Sequence, residues 1–296
     1  MKMCMGTASL GMNYGVKGGT QPSFKEAVYL LEKAVFEYGI DCFDTAAAYG
    51  DAESVLGAFF KVHPSCKDIV RIISKLPSEA LSGIQVQQYP MIMRQNAERS
   101  LSRLGLDRLD GYLFHNAVDA SDPAKMEALA SLKQLGLTRG VGVSVYRPDE
   151  ALMAANSSLI DDIQVPFNAI DHRLIATGFF EQSNQKRVFA RSVFLQGLLL
   201  LEPVPKHMDF AQTEIEGFQS IARKYELSYH DACIMFAQSV PSIEYLVIGI
   251  ESPTELAQNA VALEKAIIPE FIQDIKEMLH TVNEQILMPN LWPKEE

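Results

Sequence analysis

Residues 40–53 read Ile40-Asp41-Cys42-Phe43-Asp44-Thr45-Ala46-Ala47-Ala48-Tyr49-Gly50-Asp51-Ala52-Glu53, and the rest of the chain is organised around this stretch. A short apolar run ends at Asp44, four small residues follow, and Tyr49-Gly50 then precede a segment that Asp51 or Glu53 can cap as a helix. The pattern predicts a strand, a turn and a helix. It places the Asp44 carboxylate and the Tyr49 phenol at the carboxyl end of the strand.

Two later apolar runs also end abruptly on a single polar side chain. The run over residues 69–75 ends at Lys75, and the run over residues 109–115 ends at His115. If the strands are parallel, these side chains meet at one rim, where an open α/β sheet or a (β/α)8 barrel has its active site. Tyrosine is a weak acid with a reference pKa of about 10, so proton donation by Tyr49 requires a nearby cation such as Lys75.

Four of these residues resemble the catalytic tetrad of the aldo-keto reductases, namely Asp44, Tyr49, Lys75 and His115. The flanking sequence resembles that family as well, in the motifs Asp44-Thr45-Ala46-x-x-Tyr49-Gly50 and Ser100-Leu101-x-x-Leu104-Gly105-Leu106-Asp107. The resemblance extends from about residue 6 to residue 259, which is nearly the whole chain.

The resemblance implies an NAD(P)H-dependent reduction of an aldehyde or ketone to an alcohol. Tyr49 would be the general acid, Lys75 would lower the pKa of its phenol, and Asp44 would orient Lys75. His115 would donate a hydrogen bond to the carbonyl oxygen and help to place the substrate. The cofactor would carry out the redox step, while the protein supplies position and electrostatics.

Each member of the tetrad also has a structural interpretation when it is considered alone. Asp44 is compatible with a turn or helix cap, and Lys75 with a solvated strand end. His115 is compatible with a hydrogen-bonded edge of the core, and Tyr49 with packing under the following helix. We favour the functional interpretation because all four residues occur in order within matching local sequence.

Length and composition favour one large domain that acts on a small molecule. The chain has 296 residues, 48% of them hydrophobic, and a (β/α)8 barrel of about 250 residues fits as a single domain. No Gly/Ser-rich, Pro-rich or low-complexity linker interrupts the pattern. The formal charge of −11 argues against a nucleic-acid partner and against a basic membrane-binding face.

The amino-terminal sequence and the cysteines predict a cytoplasmic protein. Residues 1–7 enter an apparent strand without the charged and apolar regions of a signal peptide. No run approaches the roughly 18 apolar residues of a membrane span. The cysteines are widely spaced and lack a Cys-x-x-Cys or Cys/His ligand pattern, so we expect free thiols and no metal site.

Strand and helix patterns alternate along the chain, which is typical of a parallel sheet. Strands are predicted at residues 2–7, 40–44, 69–75, 109–115, 141–144, 159–165, 187–192 and 245–249. Helices are predicted to begin at Ser23 and to cover residues 53–61, 91–104, 123–135, 209–238 with a break near 227–228, and 253–264. A closed (β/α)8 (TIM) barrel over residues 1–266 is our first choice. An open doubly wound sheet is second, because the first strand-to-helix turn has no Gly-x-Gly-x-x-Gly motif.

Two segments outside this repeat receive separate predictions. Residues 267–296 are predicted to add a helix and a tail that packs on the barrel, and in the family resemblance such a tail folds over the rim. Trp292 is compatible either with lining the pocket or with covering an exposed barrel face. The glycine-rich residues 12–20 are predicted to form a rim loop, because they lack the Lys-Ser/Thr ending of a P-loop and the spacing of a dinucleotide fingerprint.

The resemblance also implies a nicotinamide cofactor and assigns residues to it position by position. Thr7 would lie near the nicotinamide ribose, Ser144 and Gln164 would hold the carboxamide, and residues 191–197 would hold the pyrophosphate through backbone groups. Arg191 takes the place of an aromatic ring stacked on the nicotinamide, which a guanidinium plane can replace. The predicted cofactor set is Gly6, Thr7, Asp44, Ser144, Gln164, Arg191, Ser192, Phe194, Gln196, Gly197, Gly249, Ser252, Gln258 and Asn259.

The choice between NADPH and NADH depends on residues 249–259, which match the family's adenosine-phosphate motif. Gln258 and Asn259 would lie toward the adenine. Family members that prefer NADPH usually have an arginine or lysine here, whereas Glu251 and Glu255 stand at the corresponding positions. Two carboxylates should repel the 2′-phosphate, so NADPH is the family expectation and NADH stays open.

Polar and cationic side chains near the rim favour a polar or anionic carbonyl substrate, such as a sugar derivative. The candidates are Phe114-His115-Asn116, Tyr146-Arg147, Asn168, His172 and Arg173, although both arginines are also compatible with ordinary surface charges. Two other functions stay open: a non-catalytic nicotinamide-binding or regulatory barrel, and a lyase or aldolase with Lys75 as a Schiff-base nucleophile. The sequence carries no signal for an oligomeric state.

Overall fold

A computed structural model describes residues 1–13, 15, 21–278 and 282–293. Its eight parallel strands form a closed barrel in which each strand pairs with its sequence neighbours and the last pairs with the first. The strands are β1 (Lys2–Gly6), β2 (Cys42–Asp44), β3 (Arg71–Leu76), β4 (Leu109–Phe114), β5 (Thr138–Ser144), β6 (Asp162–Pro166), β7 (Arg187–Arg191) and β8 (Tyr245–Gly249). The predicted (β/α)8 barrel is confirmed, and the open-sheet alternative is wrong.

Helices connect the strands and cover the outside of the barrel. They are α1 (Ala8–Gly11), α2 (Phe24–Phe36), α3 (Ala52–Val62), α4 (Tyr89–Leu104), α5 (Ala117–Ala120), α6 (Pro123–Gln134), α7 (Pro148–Asn156), α8 (Arg173–Ala176), α9 (Phe179–Gln182), α10 (Gln212–Lys224), α11 (Tyr229–Gln238), α12 (Pro253–Leu263), α13 (Pro269–Met278) and α14 (Glu284–Leu287). Short 3₁₀ segments lie at Pro64–Asp68, Val86–Gln88, Leu195–Leu200, Lys206–Ala211 and Pro289–Leu291. The predicted helix over residues 209–238 breaks where expected, because the Ser228 side chain caps a new helix there.

The alternation of side chains along each strand divides the core into two layers. The inner layer fills the barrel and includes Cys4, Cys42, Ile73, Leu113, Phe189 and Tyr245. The outer layer packs the opposite faces of the strands against the helices, with Leu56 and Phe59 of α3 among its buried members. Since successive residues point to opposite faces, every residue two positions beyond an inner-layer residue also faces the barrel axis.

The carboxyl-terminal segment adds a helix to the outside of the barrel. Helix α13 buries Phe271, Ile272 and Ile275 and lies next to α10. Trp292 is partly buried against the outer core, and its indole N–H donates to the Ile286 carbonyl at 3.1 Å. The boundary at residue 266 stays a prediction.

Two further statements hold for the described part of the chain. No helix in it is long and apolar enough to cross a lipid bilayer. Of the loop predicted at residues 12–20, only residues 12, 13 and 15 are described, so the prediction for the remaining positions lies outside the described residues.

Candidate active site

The candidate active site is a ring of inward-facing side chains at the carboxyl ends of the strands. Cys42, Ile73 and Leu113 belong to the inner core, so the residues two positions later face the barrel axis at the rim. Those residues are Asp44, Lys75 and His115. The ends of the next three strands complete the ring with Ser144, Gln164 and Arg191.

Asp44 and Lys75 form a buried ion pair in this ring. The Lys75 ammonium donates to both carboxylate oxygens of Asp44, at 2.8 and 2.7 Å, and to the Thr45 carbonyl at 3.0 Å. Burial lowers the pKa of the ammonium, but the charges of Asp44 and Tyr49 and their hydrogen bonds outweigh burial, so the net pKa of Lys75 is raised. Lys75 therefore stays charged at the floor of the site.

Tyr49 places its hydroxyl beside this charge. Its oxygen lies 3.4 Å from Lys75 Nζ, and Nζ lies 5.0 Å from the centre of its ring. Burial raises the pKa of the phenol above its ordinary value, while the Lys75 charge acts in the opposite direction. Lys75 therefore acts on the phenol in the expected direction, but burial has the larger effect, and the net pKa of Tyr49 is raised.

The turn that carries Tyr49 is fixed by close backbone contact with the end of α1. The backbone N–H of Asp51 donates to the carbonyl of Gly11 at 3.2 Å. A Cβ atom on Gly11 would lie 1.9 Å from the Tyr49 carbonyl oxygen, and one on Gly50 would lie 2.1 Å from the Gly11 carbonyl oxygen. Gly50 also has a positive φ of 53°, which glycine adopts without strain.

His115 closes the tetrad on the side of the following strand. Its ring meets the Tyr49 ring edge to face, with 5.6 Å between centroids and 79° between planes. Burial, followed by the nearby Lys75 charge, lowers the pKa of His115 to about 4. The imidazole is therefore neutral at physiological pH, and its N–H can donate to a carbonyl oxygen that lies beside Tyr49.

A chain of polar groups extends from Asp44 to the neighbouring strands. The Gln164 amide N–H donates to Asp44 Oδ1 at 2.8 Å, and the Ser144 hydroxyl donates to the Gln164 amide oxygen at 3.2 Å. Arg191 Nε donates to the Ser144 hydroxyl at 3.3 Å, and Arg191 Nη2 donates to the Val145 carbonyl at 2.8 Å. These contacts fix the amide and hydroxyl that were predicted to hold a carboxamide.

The Arg191 guanidinium is stacked on an aromatic ring in the same place. Its Cζ atom lies 4.1 Å from the centre of the Tyr146 ring, and Nη1 donates to the Ser192 hydroxyl at 3.1 Å. The Arg191 charge also acts on Tyr49 and His115, where it lowers the pKa of both groups after the larger effects of burial and Lys75.

A cleft of about 460 Å³ opens above this ring and runs to the amino terminus of α12. All residues of the predicted cofactor set line the cleft except Ser252, which instead caps α12 by accepting from the Glu255 N–H at 3.2 Å. Lys75 lies behind the lining, with a fully buried side chain. A cleft of this volume, with a mixed lining that includes several polar side chains, is typical of ligand and cofactor sites.

The segment after β7 borders the middle of the cleft in an unusual backbone conformation. Ser192, Leu195 and Gln196 have positive φ angles of 59°, 49° and 54°, followed by Gly197 at 90°. Non-glycine residues in this region are strained, and such strain clusters at ligand-binding sites. The conformation agrees with the predicted role of this segment in holding a pyrophosphate through backbone groups.

The far end of the cleft is acidic. Glu251 and Glu255 both line it, and the Glu255 carboxylate accepts from the Glu251 backbone N–H at 2.8 Å. Burial, and then the neighbouring Glu255 charge, raises the pKa of Glu251. Among the described residues that line the cleft, Arg191 is the lone arginine or lysine, and it lies at the other end.

The sequence interpretation missed His230, which also lines this end of the cleft. Its ring is stacked on Phe194 at 5.0 Å, and Nε2 lies 3.0 Å from the Asn259 amide oxygen. His230 follows the cap of α11, where the sequence shows only a helix start. No local pattern could have assigned it, because the contact depends on how α11 packs against the segment after β7.

Most of the predicted substrate-pocket residues have structural partners instead. His115 and Tyr146 line the cleft, whereas Phe114 is buried in the outer core. The Asn116 side chain caps α5, the Asn168 amide donates to the Ser192 carbonyl, and the His172 ring is stacked on Phe236. Arg147 pairs with Glu284, and Arg173 pairs with Asp171 and Glu284.

Fold and site together define the class of a (β/α)8-barrel oxidoreductase. Residues 2–280 match the profile of the Aldo/keto reductase family, and the chain belongs to that family. The family acts on carbonyl compounds with nicotinamide cofactors, so the general function expected from the tetrad is confirmed at this level.

Three relatives show how broad the similarity is. The chain is 23% identical to an aldo-keto reductase of Gibberella moniliformis, over 95% of this chain and 91% of the relative. It is 25% identical to the D-threo-aldose 1-dehydrogenase of a Pseudomonas species, over 79% of this chain and 82% of the relative. The solved structure of the aldo-keto reductase AKR11C1 from Bacillus halodurans superposes with a TM-score of 0.75 at 22% identity, covering 97% and 95% of the two chains. At this identity the structural similarity supports the fold.

Proposed function

We propose that this protein reduces the carbonyl group of an aldehyde or ketone to an alcohol, with Tyr49 as the general acid. One observation carries the proposal: the Tyr49 hydroxyl borders the cleft and lies 3.4 Å from the ammonium of Lys75, which is itself held by Asp44. Burial raises the pKa of this phenol, but the neighbouring ammonium acts against burial and stabilises the phenolate that remains once the proton is given up.

The chain's own residues divide the remaining tasks. A reduced nicotinamide bound in the cleft would supply hydride to the carbonyl carbon. Tyr49 donates its proton to the carbonyl oxygen as negative charge develops there, and neutral His115 donates a hydrogen bond to the same oxygen. Ser144 and Gln164 would hold the carboxamide, and the backbone after β7 would hold the pyrophosphate.

The Schiff-base alternative fits the geometry poorly. A lysine nucleophile must be deprotonated, which usually requires a pKa lowered by an apolar or cationic environment. Lys75 has a raised pKa and three hydrogen-bond acceptors, and its side chain is fully buried behind the cleft lining. A measurement of turnover is what distinguishes the proposed reductase from the non-catalytic alternative.

NADH is the cofactor we propose, against the family expectation of NADPH. Glu251 and Glu255 line the predicted adenosine end of the cleft, and the Glu255 carboxylate, in the first turn of α12, accepts from the backbone N–H of Glu251. A 2′-phosphate would meet two carboxylates and no described arginine or lysine at this end, whereas a ribose hydroxyl could donate to either carboxylate.

A polar carbonyl compound, such as a sugar derivative, is the substrate class we propose. Beside Ser144 and Gln164 the cleft is lined by Tyr146 and Arg191, which offer hydrogen bonds and one positive charge. One relative is a D-threo-aldose 1-dehydrogenase by name, which agrees with a polyhydroxylated substrate. The four free, buried cysteines fit a reducing compartment, and we propose a cytoplasmic location on that ground.

Cofactor titration followed by a substrate panel tests the proposed function. We expect NADH fluorescence to report tight binding and NADPH to bind more weakly. We then expect oxidation of the bound cofactor with polar aldehydes or ketones, at higher kcat/KM than with apolar aldehydes of similar size. Tight cofactor binding without turnover across the panel would instead support the non-catalytic alternative.

Glu251→Lys tests the cofactor choice without removing the Ser252 cap of α12 or the contact between the Glu255 carboxylate and the backbone N–H of residue 251. We expect it to tighten NADPH binding by roughly tenfold relative to NADH, because a repulsive charge becomes an attractive one. Glu264→Lys is the matched control, since it makes the same charge change in an exposed residue at the opposite end of α12. An unchanged NADPH-to-NADH ratio in Glu251→Lys would contradict the assignment.

A further inference from the structure

Glu53 is a buried carboxylate that lies outside the cleft. Its side chain is 1% exposed, and it lies in the first turn of α3, four residues after Tyr49. Buried carboxylates are uncommon unless they are paired, because removing the charge from water is costly. The chemistry proposed for the cleft does not use Glu53, so its burial calls for another explanation.

The Glu53 carboxylate connects three elements of the structure. Its Oε1 atom accepts from the Ser74 hydroxyl at 2.7 Å, and Oε2 accepts from Arg103 Nη1 at 2.7 Å. Ser74 lies on β3, and Arg103 lies near the end of α4. One side chain therefore joins the helix that follows Tyr49 to the strand that carries Lys75, and both to the next helix.

The contact between Glu53 and Ser74 lies next to the tetrad, so a shift of α3 relative to β3 would change the position of Tyr49 relative to Lys75. Ser74 immediately precedes Lys75, and the two side chains point to opposite faces of β3. On its other side the Tyr49 turn is fixed by Gly11 and Gly50. The Tyr49 hydroxyl is thus held between a backbone contact with the end of α1 and a carboxylate contact with β3.

The distance between the Tyr49 hydroxyl and the Lys75 ammonium is at the upper limit of a hydrogen bond. The Tyr49 oxygen lies 3.4 Å from Lys75 Nζ, whereas the other three bonds of this ammonium are 2.7 to 3.0 Å long. A further displacement of α3 from β3 would break the contact, while the Asp44 contacts of Lys75 would persist. Misplacement of a catalytic group by about 1 Å can cost roughly 10²-fold in rate.

We propose that Glu53 is a positioning residue, which holds α3 against β3 and thereby keeps the Tyr49 hydroxyl within reach of the Lys75 ammonium. The proposal rests on the proposed function, because it assigns Glu53 to the support of the general acid. It also makes a statement about Tyr49 that does not depend on turnover: loss of the Glu53 contacts weakens the stabilisation of the phenolate by Lys75.

Three variants test this role in graded steps. Glu53→Ala removes both contacts, and Ser74→Ala removes the contact with β3 alone. Glu53→Gln keeps both contacts, because the amide oxygen can accept from Arg103 while the amide N–H donates to the Ser74 hydroxyl. Asp162→Ala is the matched control, since it removes another buried carboxylate paired with an arginine, at the opposite end of the barrel.

The first measurement is the ionisation of Tyr49, taken as the ultraviolet difference titration between each protein and its Tyr49→Phe counterpart. The second is kcat at a temperature where every variant is folded. We expect Glu53→Ala to raise the pKa of Tyr49 and to lower kcat by about 10- to 10²-fold with unchanged cofactor binding. Ser74→Ala should show a smaller effect of the same kind, and Glu53→Gln should resemble the unmodified protein.

Asp162→Ala should lose stability without either change, which separates positioning from a purely structural role. Wild-type ionisation of Tyr49 and wild-type kcat in both Glu53→Ala and Ser74→Ala would overturn the proposal. If Glu53→Ala does not fold, Ser74→Ala decides it. If Tyr49→Phe itself keeps full turnover, the proposed function fails, and the titration still tests the Glu53 contact by itself.

Discussion

The barrel holds a buried carboxylate paired with a cation at each end, and the two pairs differ in what surrounds them. At the carboxyl-terminal end, Lys75 contacts both oxygens of Asp44 at 2.8 and 2.7 Å. At the amino-terminal end, Arg187 contacts both oxygens of Asp162 at 2.6 and 2.8 Å. Both carboxylates are buried and lie on the inside of the barrel.

The lower pair is enclosed by backbone. A Cβ atom on Gly111 would lie 2.6 Å from Asp162 Oδ2, and one on Gly142 would lie 2.0 Å from the Asp162 carbonyl oxygen. Arg187 also donates to the Asp110 carbonyl at 3.1 Å. Backbone of the neighbouring strands therefore lies close against the Asp162 carboxylate, which is fully buried.

The upper pair has polar side chains where the lower pair has glycine. Tyr49, Gln164 and His115 lie around it, and the cleft opens above. An ion pair with a buried carboxylate therefore does not by itself distinguish one end of the barrel from the other. What distinguishes the upper pair is the Tyr49 phenol beside its ammonium and the cleft that opens above it, at the end of the barrel where (β/α)8 proteins usually have their active sites.

Removal of the upper cation should have the largest effect. We expect Lys75→Met to lower kcat by about 10²- to 10⁴-fold, because Tyr49 loses the charge that stabilises its phenolate. We also expect a stability loss of about 3 kcal/mol, since Asp44 is left buried without its ion partner. Steady-state kinetics and urea unfolding measure the two effects. Unchanged turnover in Lys75→Met would contradict a catalytic role for the ion pair of Lys75 and Asp44.

Removal of the lower cation should affect stability alone. We expect Arg187→Met to cost about 3 kcal/mol in the free energy of unfolding, because Asp162 stays buried without a partner. The kcat of Arg187→Met, calculated per cofactor-binding site so that unfolded molecules are not counted, should equal that of the unmodified protein. A loss of kcat comparable with that of Lys75→Met would break the distinction between the two ends.

Gly11→Ala should act on the upper end through the backbone. Its new Cβ would lie 1.9 Å from the Tyr49 carbonyl oxygen, so the end of α1 and the turn that carries Tyr49 have to separate. We expect kcat to fall by at least roughly tenfold. Gly136→Ala is the control, because Gly136 has a positive φ of 74° and open space around it, and should cost about 1 kcal/mol of stability with unchanged kcat.

The lower pair should also titrate at mildly acidic pH. Burial, which the Arg187 contacts offset in part, raises the pKa of Asp162 to about 6. The folded protein then binds a proton more readily than the unfolded chain, so this group adds stability as pH falls from 7 to 5, by about 1 kcal/mol. His115 works in the opposite direction, because its pKa is lowered to about 4.

The difference in unfolding free energy between the unmodified protein and Asp162→Asn isolates the contribution of Asp162, since His115 is common to both. That difference should increase between pH 7 and pH 5 in favour of the unmodified protein. A constant difference would show that Asp162 is ionised throughout and that the Arg187 pair outweighs burial.

The sequence predicted the fold and the members of the upper site for one physical reason. Strands in a parallel barrel end at a common rim, so a polar residue that ends an apolar run must lie there, as Asp44, Lys75 and His115 do. Alternation along each strand fixes the direction of these three side chains, whereas Tyr49 lies in the turn after β2 and is assigned through the resemblance of residues 44–50 to the family motif.

Contacts between helices and loops could not be predicted in this way. His230 reaches the cleft because α11 packs beside the segment after β7, and no local pattern records that packing. Arg173 and His172 also follow a strand end, yet Asp171 and Phe236 hold them away from the cleft. Such partners are distant in sequence or depend on loop conformation, which hydrophobic periodicity does not encode.

The most direct test of the central claim is the kinetics of Tyr49→Phe, which removes a single oxygen atom. We expect kcat for carbonyl reduction to fall by about 10²- to 10⁴-fold while NADH binds as tightly as to the unmodified protein, because the phenol donates the proton and does not hold the cofactor. The exposed Tyr29→Phe serves as the control and should change neither quantity. Wild-type turnover in Tyr49→Phe would contradict the account.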